Sequence, residues 1–110
     1  MLIDFNAMKE ACVPNLDGGA GEVFAKMTVN DYGRFIFCRI PPKATIGLHT
    51  QKGSTDINFV VSGTGKAICD GVEEPLTAGV CHICPCGAEH SIINTGDTDL
   101  VLYTAVAKAT

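Results

Sequence analysis

Glycines recur through the second half of the chain as Gly47, Gly53, Gly63, Gly65, Gly71, Gly79, Gly87 and Gly96, and short β-branched and aromatic runs lie between them. Punctuation this close leaves no room for a helix of ordinary length. It predicts strands over Arg34–Ile40, Ile57–Ser62, Lys66–Cys69, Val80–Cys84, Ser91–Ile93 and Leu100–Val106. Asp70-Gly71 predicts a two-residue type I′ hairpin, whose central residues both need positive φ. Gly63-Thr64-Gly65 and Thr95-Gly96-Asp97 mark further turns, and Pro41-Pro42 an edge. Only Asn6–Cys12 carries a helical pattern, one or two turns ending before Pro14 with Asn6 as N-cap. Many short strands at this spacing make an all-β sandwich or barrel.

A length of 110 residues suits one domain. With 46% hydrophobic and 18% charged residues, a packed core is affordable and disorder is excluded. No apolar stretch is long enough for a membrane-spanning helix. The opening Met1-Leu2-Ile3-Asp4-Phe5 has no basic segment ahead of a long apolar run, so a cytoplasmic protein is expected. A net charge of −4, with eight basic residues spread along the chain, gives no footprint for nucleic acid. Neither nucleic acid nor membrane is therefore expected as a partner. Six cysteines in such a chain are expected as reduced thiols.

The histidines are His49, His82 and His90. On an extended strand His49 and Gln51 point to one face, and Asp56 and Asn58 likewise share a face. His90 opens a later strand after the turn Pro85-Cys86-Gly87. Each borders an apolar run, where an unpaired polar group is costly to bury.

Two stretches carry a family pattern. The first runs Gly47-Leu48-His49-Thr50-Gln51 through Asp56 to Gly63. The second has Gly79, Pro85, Gly87, His90 and Asn94 in fixed spacing. Together they resemble the two motifs of the cupin superfamily, and Gly18-Gly19-Ala20-Gly21 with Gly33-Arg34 looks like a group of small bacterial single-domain cupins. The resemblance implies a double-stranded β-helix, or jelly-roll, barrel over residues 31–110, preceded by an N-terminal extension and edge strand over 1–30. It places metal ligands at His49, Gln51, Asp56 and His90. Gln51 stands where the family has a second histidine, and Asp56 where it usually has glutamate. Two histidines and a carboxylate suit a facial-triad iron site, and manganese, nickel or zinc also fit. Asn58 and Ile92 are expected in the pocket, with apolar wall from Phe35 or Phe37 and Val60. The implied ligand is a small polar molecule, sugar-like or a carboxylate. It is handled by a metal-dependent isomerase, lyase or dioxygenase, or by a non-catalytic binder or sensor with a weakened or absent metal site. The superfamily spans too many activities for the substrate to follow from the fold. Members of this size pair as homodimers, with residues 1–30 free to serve as the pairing edge.

The run Cys81-His82-Ile83-Cys84-Pro85-Cys86 has a spacing that zinc sites and redox pairs use. On a strand, however, Cys81 and Cys84 face opposite sides, and no second cysteine pair matches. These thiols, with Cys12, Cys38 and Cys69, are read as core filling, and Cys86 in its turn as the exposed one. His82 is read as a hydrogen-bonded strand residue, Arg39 as solvated and Tyr103 as core. Lys108, Glu73 and Glu74 are read as surface charge.

Overall fold

The structure is a computed structural model that describes residues 1–108. Its ten strands are β1 (Ala11–Pro14), β2 (Glu22–Asn30), β3 (Gly33–Ile40), β4 (Thr45–Thr50), β5 (Ser54–Ser62), β6 (Thr64–Cys69), β7 (Val72–Thr77), β8 (Cys81–Cys84), β9 (Glu89–Asn94) and β10 (Leu100–Lys108). They form two antiparallel sheets, ordered β1-β2-β3-β10-β5-β8 and β4-β9-β6-β7. The all-β jelly-roll barrel implied by the sequence is the observed fold. The β6–β7 hairpin turns on Asp70 and Gly71 at φ 48° and 79°, the pair of positive values that a type I′ turn requires.

Side-chain parity divides the barrel into a filled end and an open end. Along β3 and β10 the paired inward residues run Ile40 with Leu100, Cys38 with Leu102, Ile36 with Thr104 and Arg34 with Val106. The first two pairs are buried in a core shared with Val23, Ala67, Leu76 and Ile92. Each large aliphatic buried there contributes about 1.5–3 kcal/mol. The later pairs widen into a cavity. Asn94 pins the filled end: its Nδ2 donates to the Ile40 and Thr98 carbonyls at 2.7 and 2.8 Å, and its Oδ1 accepts from the Gly96 amide at 2.8 Å.

Several expectations are corrected. Asn6–Cys12 is not a helix: a single 3-10 turn covers Phe5–Ala7, capped by the Asp4 carboxylate rather than by Asn6. From Ala11 the chain is recruited as β1, because pairing with β2 satisfies its backbone groups. Phe37 faces outward, packing with Phe5 and Tyr103, and Phe35, two residues away, shares its parity; Ile36 and Cys38 take the inner positions. Tyr103 is 41% exposed on that outer face and is not core. Val60 is buried in the core but does not line the cavity. Arg39 is not free in solvent: its guanidinium bonds both Glu10 oxygens at 2.8 and 2.9 Å, reaches Asp99 at 3.3 Å and lies over the Phe24 ring. Of the thiols, Cys38 and Cys84 are buried, whereas Cys12 and Cys81 are exposed along with Cys86. The small shared parity of Cys81 with the outer row Phe59–Tyr103 explains its exposure.

Candidate metal centre

A cavity of about 820 Å³ opens between the sheets. Ile36, Ile46, Ile92 and Val106 give it apolar wall, and His49, Gln51, Asp56, Asn58, His90 and Thr104 give it polar groups. His49, Gln51, Asp56, Asn58, His90 and Ile92, all chosen from the sequence, therefore line one space. How they reach it depends on a local irregularity. In the β4–β9 pair Ile46 faces Ile92 and His49 faces His90, so β4 holds one extra residue between the two contacts. That bulge lets Ile46 and His49, three apart, both line the cavity. Gln51 follows just past the strand, held by backbone bonds from its amide to the Ala88 carbonyl and from the Gly87 amide to its carbonyl.

His49 and His90 meet edge-on, Nε2 to Nε2 at 3.1 Å. Asp56 Oδ2 lies 3.3 Å from the same His90 nitrogen. Two donors on one metal, each at about 2.1 Å, stand about 3.0–3.4 Å apart for bond angles between square and tetrahedral. Both spacings to His90 Nε2 fall within that range. Among the described residues no group of three or more histidine, cysteine, aspartate or glutamate side chains is placed so that it could hold a metal ion as it stands. What is present is two close contacts that share His90 Nε2.

The surrounding groups orient these donors. His49 Nδ1 lies 2.8 Å from the Gly47 carbonyl and 3.2 Å from Asp17 Oδ2. Both are acceptors, so Nδ1 carries the proton, and in the neutral ring Nε2 presents its lone pair to the cavity. Gly47 makes this possible, because a Cβ there would overlap the Asp17 carbonyl and push the Leu16–Gly18 turn away. The Asp56 carboxylate is held by Asn58 Nδ2 at 3.2 Å. Thr104 Oγ1 donates to Asn58 Oδ1 at 2.7 Å, which fixes the amide with its nitrogen toward Asp56. Gln51 lines the cavity but its Nε2 donates to Ser54 Oγ at 3.3 Å rather than to either histidine. That bond leaves Oε1 as the amide's donor atom for a cation.

Cys38 also lines the cavity, and burial, with the Asp56 charge behind it, pushes its thiol up to about 12. It is inert as a nucleophile at neutral pH. Cys84 is likewise pushed up to about 12, by burial and then by the neighbouring Cys69. The sequence missed Asp17, Thr104 and the contacts of His82 and Glu74. Only Thr104 had a readable signal, a polar residue at an inward position of an otherwise apolar strand.

A jelly-roll barrel with histidines and a carboxylate gathered at its open end is the architecture of the cupins. The family model described as "Cupin domain" matches residues 36–106, and the chain belongs to that family. It is 34% identical over 100 residues to the oxalate-binding protein of Thermotoga maritima, covering 86% of this chain and 83% of that protein. The crystal structure of a predicted oxalate decarboxylase from Thermotoga maritima superposes with a TM-score of 0.92 at 28% identity, over 99% of this chain and 100% of the other. The cupin domain of Schizosaccharomyces pombe Cnp3 shares the fold at 14% identity, with a TM-score of 0.77 over 90% of this chain and 69% of that one. The fold and similarity support a small-molecule-binding cupin. Among the described residues, no helix is long and apolar enough to cross a membrane.

Proposed function

We propose that this protein binds a divalent transition metal ion through His49, His90 and Asp56, with Gln51 as a fourth, weaker donor, and holds a small carboxylate on it. One observation supports the reading: His90 Nε2 stands 3.1 Å from His49 Nε2 and 3.3 Å from Asp56 Oδ2, spacings that two donors on one ion would have. Bound there, the ion would supply Lewis-acid charge to the oxygens of a carboxylate. The chain's own groups do the rest. Asn58 and Thr104 hold Asp56 in place, and the apolar wall of Ile36, Ile46 and Ile92 limits water around the ligand. Arg34, Lys9 and Lys108 line the same cavity and supply positive charge for an entering anion. The name of the oxalate-binding relative makes oxalate the first ligand to try.

Calorimetric titration of oxalate into manganese-loaded and metal-free protein tests the reading. Binding is expected only in the loaded form. Equal binding by both forms would take the ligand off the metal, and binding of a neutral polyol instead of oxalate would overturn the carboxylate. A lyase is the second reading, favoured by the relative described as a predicted oxalate decarboxylase; release of carbon dioxide from oxalate would select it.

The same proposal includes a homodimer, supported by Phe59, Val61, Ile83 and Tyr103, which stand exposed on the outer face of the six-stranded sheet. Sedimentation of Phe59→Lys against the parent measures it. Six free cysteines support a reducing, cytoplasmic setting. Residues 1–30 are taken as an extension laid against a 31–110 barrel, with the Arg39–Glu10 pair fastening it.

A further inference from the structure

A buried histidine outside the ligand set occupies the space behind His90. His82 is 2% exposed, on β8 of the large sheet, whereas His90 is on β9 of the small one. Its Nε2 stands 2.9 Å from His90 Nδ1, and its Nδ1 stands 2.6 Å from Glu74 Oε1 on β7. Glu74 is half-exposed at the barrel surface. The three side chains therefore run in line from the outer surface to the cavity.

Hydrogen-bond logic assigns each position along this line. An ionised carboxylate only accepts, so His82 Nδ1 must donate to Glu74. The neutral His82 ring then has only a lone pair at Nε2, and His90 Nδ1 must donate to it. Neutral His90 is left with Nε2 unprotonated and aimed at His49 and Asp56. We propose that Glu74 and His82 are positioning residues that lock His90 in the Nδ1-protonated tautomer and so present Nε2 as a ligand. The inference rests on the metal reading for its purpose, but the tautomer is a property of the metal-free chain. Metal-bound histidines commonly give their other N–H to a carboxylate or carbonyl. Here the carboxylate acts through an interposed imidazole, which carries the constraint across both sheets.

Three variants separate orientation from packing. Glu74→Gln changes a half-exposed side chain without changing its shape, and its amide NH₂ can donate to His82 Nδ1 and reverse the line. His82→Leu removes the acceptor, and His82→Gln restores one through its side-chain oxygen. Long-range ¹H–¹⁵N spectra of metal-free protein, recorded above the imidazole titration range, read the His90 tautomer directly. The expected result is Nδ1–H with bare Nε2 in the parent and His82→Gln, and a mixed or reversed population in Glu74→Gln and His82→Leu. Chelator competition with manganese and zinc should show affinity falling about 10–100-fold in His82→Leu, with partial rescue in His82→Gln. A parent His90 protonated at Nε2, or a tautomer unmoved in both Glu74→Gln and His82→Leu, overturns the proposal. A parent that has the expected tautomer but takes up no metal refutes the metal reading and leaves the positioning role standing.

Discussion

His49 and His90 are direct cross-strand partners on β4 and β9, and their Nε2 atoms face one another at 3.1 Å. In the proposed tautomers both nitrogens are bare and repel, and a cation between them removes the conflict. Replacing either ring by alanine should lower metal affinity more than about 100-fold, beyond the loss typical when an outer partner of a ligand is removed. Chelator competition measures this. His90 is fully buried, so its removal should also destabilise the fold, whereas His49, 24% exposed, should cost less. Unequal effects on stability with equal effects on metal uptake are the expected pattern.

Gln51→His should tighten metal binding by about tenfold or more, because imidazole is a better donor than an amide oxygen to a transition ion. The backbone at residue 51 is already fixed by two hydrogen bonds to the Gly87–Ala88 turn. Competition titration against the parent decides it, and weaker binding would show that side chain 51 does not reach the ion.

Thiol accessibility separates five of the six cysteines into two sets, with Cys69 between them. A thiol reagent at pH 8 should label Cys12, Cys81 and Cys86 in the folded protein and spare Cys38 and Cys84 until it unfolds. Mass spectrometry of the labelled peptides reads the order.

The buried thiols also tie stability to alkaline pH. Cys38 and Cys84 hold their protons to about 12 in the folded chain, whereas an unfolded thiol releases its proton from about 8.5 upward. The unfolded state then binds fewer protons, so unfolding free energy falls with rising pH, by at most about 1.4 kcal/mol per pH unit for Cys38. Their contribution is complete below about pH 8.5 and is lost as pH climbs toward about 12. Denaturant melts of Cys38→Ala between pH 8 and 10 should show lower stability throughout but a shallower decline.

The barrel was legible because glycine turns and β-branched runs are local signals. β2 and β7 escaped for local reasons too. Val23, Ala25, Met27 and Val29 alternate along β2, but Ala25 is a weak strand former, and Pro75 is tolerated in β7 only because that strand is a sheet edge. Facing was harder than location. Phe35 and Phe37 pointed outward because the inner position belongs to Ile36, opposite Thr104, and a one-residue choice of parity reverses the whole strand. His49 reached the cavity through a bulge that spacing does not announce. The Glu74–His82–His90 line joins three strands from two sheets, and such a contact exists only once both sheets are assembled.

The central claim is that His49, His90 and Asp56 surround a metal ion, and metal content tests it most directly. Protein prepared without a polyhistidine tag should contain about one divalent ion per chain by elemental analysis, as a single four-donor site requires. The ion should be lost from His90→Ala. A preparation that stays empty after equilibration with iron, manganese, nickel and zinc would contradict the account.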